Sequence, residues 1–302
     1  MRSLIVALVA LLTNAATACG QALGEQRPPQ DRLYASESAW APKTALAQEK
    51  ALADALAALA PQRPGVRDVY VLAAGLWSDN VFINEAGEGA KVLASRFGAE
   101  GRTLVLANGA LESRGYPAAT PAFFNRALGR LGETLDPEED VLVLFVTSHG
   151  AQGRGAIFHE PGRLQGALPP AGLSAALRDA GLRRRIVIVS ACFAGEYVTP
   201  LADADTIVLT AAAPDRTSFG CEAERSWTWF GDAFINTALR GRSPLLQAFE
   251  TAKLTIKGWE AREGHKPSLP ASHVGAELAK LLPELDRALS RPAAPSATAA
   301  AR

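Results

Sequence analysis

Two residues with reactive side chains follow two strongly apolar segments of the sequence. Cys192 follows the run 185–190, which contains four consecutive β-branched residues. His149 comes shortly after the run 141–146, which is equally apolar. Continuous apolar runs of this length are typical of strands buried on both faces, as in a parallel sheet. Because the carboxyl ends of parallel strands meet at one edge of the sheet, we expect the thiol and the imidazole to lie side by side there.

A thiol beside an imidazole is the pairing that cysteine hydrolases use for nucleophilic attack. An ordinary thiol titrates at about 8.5, so attack at neutral pH benefits from a lowered thiol pKa or a nearby base. Gly150 has no side chain to obstruct a substrate, so its amide and that of Cys192 are candidate donors to an oxyanion. Taken singly, Cys192 fits a small buried residue and His149 a structural hydrogen-bonder. Their pairing at two strand ends favours catalysis.

The remaining segments supply the elements that must position this pair. Further strands are predicted at 68–75, 102–108 and 206–211. Helices are predicted at 43–60, 86–97, 122–135, 173–180, 231–239, 244–263 and 276–289, with loops between them, including 151–170. Strands that alternate with helices indicate an α/β fold with a mostly parallel central sheet flanked by helices.

Four regions are predicted along the chain. Residues 1–18 are interpreted as a signal peptide, 19–64 as a linker and N-terminal helix, and 65–290 as one folded domain. The tail 291–302 is rich in Ala, Pro and Ser and is predicted to be disordered.

Composition excludes several functions. Basic and acidic residues number 31 each, so the net charge is zero and no basic field is available for nucleic acid. The three cysteines, Cys19, Cys192 and Cys221, are too few for a disulfide framework, and no group has metal-ligand spacing. We therefore expect neither a metal nor a cofactor. Cys221 is expected to be a buried structural residue apart from Cys192, because a disulfide between them would silence the nucleophile.

The N-terminus predicts export. Arg2 precedes the apolar run 4–12, and small residues follow as far as Cys19, which is typical of a secretory signal. The run is too short for a stable membrane anchor. Small residues before Cys19 also resemble a bacterial lipoprotein cleavage site, at which the cysteine becomes the lipidated N-terminus. The protein is therefore expected in the periplasm or lipid-anchored to the bacterial cell envelope.

Several segments around the two strand ends carry a family resemblance. They are 80–82, Glu85, 101–102, 117–120, 147–150, 190–192, 209–212, 215–221, 229–232 and 267–268, and together they span most of residues 68–285. The chain resembles the legumain-like C13 cysteine peptidases, of the legumain and caspase group, in which His-Gly and Ala-Cys dipeptides end neighbouring strands. The resemblance implies a caspase-like three-layer sandwich and a cysteine endopeptidase. In it Cys192 attacks a peptide carbonyl, His149 is the acid and base, and Gly150 supplies an oxyanion donor.

The resemblance also implies a substrate pocket. Legumain-type enzymes cut after Asn, and sometimes Asp, with a pocket built from an arginine, two acids and serines. By motif, the corresponding residues are Asn84, Glu85, Ser190, Thr217, Ser218 and Asp232. Asn84 stands at the position of the arginine and Ser190 at that of one acid, whereas Asp232 matches the other acid. Cleavage after Asn or Asp is the expectation that follows from the family.

Two alternatives remain open at this stage. A transpeptidase or transamidase of the same group would use the same acylation residues, with an amine in place of water. A catalytically silent, envelope-anchored binding module would keep the sheet without turnover. The replaced pocket arginine favours the silent module, whereas the intact Cys192 and His149 pair favours an enzyme.

Overall fold

The structure is a computed structural model that describes residues 34–241 and 243–287. The predicted signal peptide (1–18), the lipidation candidate Cys19 and the predicted tail (291–302) lie outside the described residues, as does much of the predicted linker. In the described part of the chain, no helix has the length and apolar character needed to cross a membrane.

The described residues form strands and helices in alternation. The strands are β1 (Tyr34–Glu37), β2 (Val69–Gly75), β3 (Thr103–Ala107), β4 (Val141–Thr147), β5 (Gly150–Ala151), β6 (Gly155–Glu160), β7 (Leu164–Leu168), β8 (Arg185–Ser190), β9 (Thr206–Thr210) and β10 (Ser272–Val274). The helices are α1 (Pro42–Ala57), α2 (Asn80–Phe97), α3 (Leu111–Arg114), α4 (Pro121–Thr134), α5 (Pro170–Asp179), α6 (Val198–Leu201), α7 (Trp229–Gly231), α8 (Leu245–Glu263), α9 (Ala276–Ala279) and α10 (Leu282–Arg287). A 3₁₀ helix spans Ala194–Tyr197, and a π-helix spans Asp232–Leu239.

The central sheet has six strands in the order β10-β9-β8-β4-β2-β3. Neighbouring strands are parallel, except that the short edge strand β10 runs antiparallel to β9. Every residue of β2, β4, β8 and β9 is buried, which is why the interior of each strand is apolar in the sequence. The predicted mostly parallel sheet is confirmed.

Helices cover both faces of this sheet and complete three layers. Side chains of β2 and β4 alternate between the faces, with Leu72 and Leu144 in one core and Val71 and Val143 in the other. The first core is closed by α1, α4 and α5, and the second by α2, the π-helix and α8. The sheet is therefore held rigidly, and the loops at its carboxyl edge are positioned by buried strands.

Two local predictions are corrected. The region 151–170, predicted as a loop, contains the antiparallel hairpin of β6 and β7, and β1 from the predicted linker pairs with β7 to extend this second sheet. A strand that pairs with a segment far away in the sequence is stabilised by packing against that partner. Its own residues therefore do not reveal it as a strand.

The second correction concerns α2. The helix predicted at 86–97 begins earlier, at Asn80. Gly87 and Gly89 lower the helix propensity of the segment. In the fold a Cβ on Gly89 would come within 2.8 Å of the Phe145 ring, so glycine lets α2 approach the sheet closely. The earlier start places Glu85 on the buried face of the helix.

Candidate active site

The ends of β4 and β8 bring the predicted pair together. The two strands are neighbours, with Thr147 opposite Ser190, and His149 and Cys192 each lie two residues beyond their strand. Both side chains line one small cavity. Its lining residues are Ser148, His149, Ser190, Ala191, Cys192, Ser218, Phe219, Cys221 and Thr228. The parallel sheet therefore delivers the thiol and the imidazole to the same cavity.

A tight turn presents the thiol. Phe193, directly after Cys192, has φ 59° and ψ 15°, the left-handed conformation that is uncommon for a bulky residue. Its amide donates a hydrogen bond of 2.7 Å to the carbonyl oxygen of Arg216, which holds the turn in place. Strained backbone of this kind is common at functional sites, where the surrounding structure enforces it. The turn takes the chain from the strand into the 3₁₀ helix and leaves the sulfur at the cavity.

Backbone amides surround the sulfur of Cys192. The amide of Ser218 donates to Sγ at 3.3 Å, and the Ser218 carbonyl oxygen lies 3.6 Å from Sγ. Burial raises the pKa of the Cys192 thiol, and hydrogen bonding to the amides of Ser218, Gly150 and Cys192 opposes this rise. The thiol is therefore neutral at neutral pH.

Gly150 packs directly against the backbone of Cys192. A Cβ built on Gly150 would collide with the backbone carbonyl group of Cys192. Any residue with a side chain would push the two strand ends apart. The His-Gly sequence is thus explained by close backbone approach between the loops that follow β4 and β8.

Aromatic rings fix the position of His149. Its imidazole lies edge-on to the rings of Trp77 and Phe82, with centroid distances of 4.6 and 4.9 Å. Trp77 in turn stacks on His159 at 3.9 Å. Burial lowers the pKa of His149, and the nearby charge of Asp79 opposes this effect. His149 is therefore a neutral imidazole at neutral pH.

A buried carboxyl lies behind the cavity wall. Glu85 is fully buried and accepts hydrogen bonds from the amide and the hydroxyl of Thr228 at 3.0 and 3.1 Å. The Thr228 hydroxyl also lies 2.9 Å from that of Ser190. Burial raises the pKa of Glu85 to about 7, although hydrogen bonding to Thr228 opposes the rise. Ser190 and Thr228 line the cavity, so Glu85 acts on its interior through their hydroxyl groups.

The other predicted pocket residues are divided between the cavity and its surroundings. Ser218 lines the cavity, whereas Thr217 beside it is exposed and does not. Asn84 accepts a hydrogen bond from Arg114, and Asp232 accepts one from Asn236 at 2.7 Å. None of Asn84, Thr217 and Asp232 is among the residues that line the cavity.

Among the cavity residues that the sequence analysis did not assign to the site are Thr228 and Cys221. Thr228 caps α7, accepting a hydrogen bond from the amide of Gly231 at 3.0 Å, and only this capping role has a sequence signal. Cys221 was expected not to form a disulfide with Cys192, and both are free thiols, although they line the same cavity. Burial, with a smaller contribution from Cys192, raises the pKa of Cys221 to about 11. In the described residues, no group of three or more His, Cys, Asp or Glu side chains could hold a metal ion.

The fold and the cavity together define the class of thiol-dependent hydrolases as the candidate class. The model of the Peptidase C13 family matches residues 127–280, about half of the sequence, and the chain belongs to this family. The membership supports a cysteine-type peptidase, a hydrolase that acts on protein or peptide substrates.

The chain is also similar to solved structures of known proteins. Caspase-1 from Spodoptera frugiperda is similar over 72% of this chain and 94% of that chain, with 13% sequence identity and a TM-score of 0.46. No curated protein sequence matches the chain. The observed layers and the family membership agree with the predicted caspase-like sandwich.

Proposed function

We propose that the protein is a cysteine endopeptidase that hydrolyses peptide bonds through an acyl-enzyme on Cys192. The observation that carries this proposal is the shared cavity at the ends of β4 and β8. It contains both the Cys192 thiol and the His149 imidazole. Membership of the Peptidase C13 family supports the same conclusion.

In the proposed reaction the pair begins uncharged, because burial disfavours both the thiolate and the imidazolium. The Cys192 sulfur attacks the peptide carbonyl as its proton moves to His149. The amides of Gly150 and Cys192 stabilise the oxyanion. His149 then protonates the leaving amine, and the thioester remains. Water, deprotonated by His149, hydrolyses the thioester and restores the free thiol.

The cavity favours a small, neutral polar side chain at P1. Hydroxyl groups of Ser190, Ser218 and Thr228 line it, and they can both donate and accept hydrogen bonds. No arginine is among the described residues that line the cavity. Glu85 behind the wall becomes anionic as pH rises through about 7. An Asp carboxylate at P1 would be repelled, so we propose that Asn is preferred over Asp.

The first experiment is cleavage of a fluorogenic peptide library varied at P1. We expect turnover by the wild type with Asn preferred, and a loss of roughly 10⁴-fold or more in Cys192→Ala. Cys221→Ala is the matched control, because it removes the other thiol of the cavity and should retain turnover. Product analysis with an added amine separates hydrolysis from amine transfer.

Burial of the thiol and the imidazole favours a second candidate, the silent binding module. Both pKa shifts favour the uncharged forms, so no thiolate is present before substrate binds. Absence of turnover by well-folded wild type, even after limited proteolysis, would replace the peptidase proposal with this candidate.

We also propose that the protein is exported and anchored by a lipid on Cys19. The support is the signal-like composition of residues 1–19. Intact-mass measurement of the mature protein tests this, since a lipidated Cys19 at the N-terminus would add the mass of the acyl chains. An N-terminus elsewhere, without added mass, would contradict the anchor.

A further inference from the structure

A second pocket opens beside the thiol cavity. It has an empty volume of about 660 Å³ and shares Ser218, Phe219 and Cys221 with that cavity. Its lining is completed by Gly220, Glu222, Arg225, Trp229, Glu263 and His265. The shared residues form one wall between the two spaces, so the second pocket adjoins the cavity that contains Cys192.

Aromatic rings form the walls of the second pocket. Phe219 stacks on His265 with a centroid distance of 4.2 Å and an interplanar angle of 14°. Trp229 packs edge-on against His265 at 5.5 Å and is supported from behind by Trp259 at 5.8 Å. Each ring is held by another, so the walls are preformed before a ligand binds.

The rim of this pocket carries more negative than positive charge. The carboxylates of Glu222 and Glu263 are both more than half exposed, against the single guanidinium of Arg225. Arg225 is 3.8 Å from Glu222 and donates to the carbonyl oxygen of Trp227 at 3.2 Å. Within the described residues, the one ion-pair contact of Glu263 is with the ring of His265, at 3.5 Å.

We propose that this second pocket binds a basic side chain of the peptide substrate, arginine above all, one or two residues from the scissile bond. The proposal rests on the proposed peptidase function. An extended peptide advances about 3.3 Å per residue, so a neighbouring side chain can reach the adjoining pocket. The aliphatic stem would pack on the rings of Phe219 and Trp229, and the cation would lie near Glu263 and the ring faces.

The experiment compares peptides that differ by one charge. Substrates with the preferred P1 residue carry arginine, citrulline or phenylalanine at the adjacent positions, and citrulline keeps the shape of arginine without its charge. We expect kcat/KM about 10-fold higher for arginine than for citrulline at one position, with the preference weakened by added salt. In Glu263→Gln, and to a smaller extent in Glu222→Gln, the ratio should fall toward 1.

Glu250→Gln is the matched control, because Glu250 lies on α8 and is exposed like Glu263, but it does not line the pocket and pairs with Lys253. It should leave the ratio unchanged. Equal rates for arginine and citrulline, or a preference that persists in both pocket variants, would overturn the proposal. A preference for phenylalanine over both would also overturn it.

Direct binding separates this proposal from the peptidase proposal. Fluorescence anisotropy with labelled peptides on Cys192→Ala needs no turnover. One outcome is that the wild type is inactive, while Cys192→Ala binds the arginine peptide more tightly than the citrulline peptide and loses this preference when Glu263 is also replaced. In that case the pocket proposal is supported and the peptidase proposal fails. If turnover occurs without charge selectivity, only the pocket proposal fails.

Discussion

Buried polar groups have different surroundings at the two ends of the central sheet. At the amino end, the Asp68 carboxylate is buried and accepts hydrogen bonds from the Arg63 backbone at 2.9 Å and its Nε at 3.0 Å. Arg102 adds an ion pair at 3.3 Å. Asp140, before β4, accepts from the amides of Asp68 and Asp136, each at 2.8 Å. Both of these buried carboxylates therefore have hydrogen-bond donors, and Asp68 also has cationic partners.

At the carboxyl end, the polar groups are held by packing and kept uncharged. His149 lies among aromatic rings, and burial shifts the pKa values of both His149 and Cys192 toward the neutral forms. Matched charges stabilise the fold but have no remaining reactivity, whereas desolvated neutral groups can exchange a proton when a substrate arrives. The comparison teaches that paired charges lie at one end of these strands, whereas the proposed chemistry lies at the other.

The largest expected effect comes from the carboxyl end. His149→Gln should lower kcat/KM by roughly 10²- to 10⁴-fold, because the acid and base is lost. The free energy of unfolding should change by only about 1 kcal/mol, since the replacement fills most of the same space. Steady-state kinetics and urea denaturation measure the two quantities.

His273→Gln is the control for this substitution. His273 lies on the edge strand β10, where its ring nitrogen contacts the carbonyl oxygen of Asp203 at 2.8 Å. It should leave kcat/KM unchanged. A His149→Gln protein that keeps normal turnover would remove His149 from the chemistry and end the contrast between the two ends.

The amino end should respond in the opposite sense. Asp68→Ala should lower the free energy of unfolding by about 3–5 kcal/mol, because it leaves the Arg102 charge buried without its partner. Activity per folded molecule should stay within about 2-fold. Asp54→Ala, which breaks the exposed pair with Lys50, should cost less than about 1 kcal/mol. Loss of activity in folded Asp68→Ala would show that the two ends are coupled.

Glu85 sharpens the comparison, because it is a buried carboxyl at the carboxyl end without a cationic partner among its hydrogen bonds. Its folded-state pKa of about 7 exceeds the ordinary value of 4.5, so the folded state binds the proton more tightly than the unfolded state. The contribution of the protonated Glu85 to the free energy of unfolding is complete below about pH 4.5, and it is lost as the pH rises through about 7. The loss is on the order of 3 kcal/mol.

Glu85→Gln tests this pH dependence. The variant does not titrate at this position, so its urea-unfolding free energy relative to the wild type should rise by on the order of 3 kcal/mol between pH 4.5 and 8. Unfolding curves collected in steps across that range measure it. Parallel pH profiles for the two proteins would mean that Glu85 titrates normally, as a carboxyl exposed to water would.

Much of the sheet could be predicted from the sequence. The strands at 141–146 and 185–190 are continuous apolar runs because both of their faces are buried, and this burial is visible residue by residue. The parallel arrangement then follows from the alternation with helices. Buried apolar strands and their parallel order are enough to predict that His149 and Cys192 lie at the same edge of the sheet.

The start of α2 and the second sheet could not be predicted in the same way. Asn80 begins a helix that includes Gly87 and Gly89, and what holds it is contact with Phe145 across the core. The strand β1 exists because it pairs with β7, far away in the sequence. Such contacts are made between distant segments, so local propensity does not reveal them.

The sequence by itself determined the layered sheet and the meeting of one thiol with one imidazole, because strand burial and side-chain type are local properties. Only the tertiary structure decided what surrounds that pair. It placed Glu85 behind the cavity wall, brought Cys221 to the same cavity as Cys192, and set the rings of Trp77 and Phe82 against His149. The physical reason is that desolvation, which sets the pKa of each buried group, depends on packing between residues that are distant in the chain.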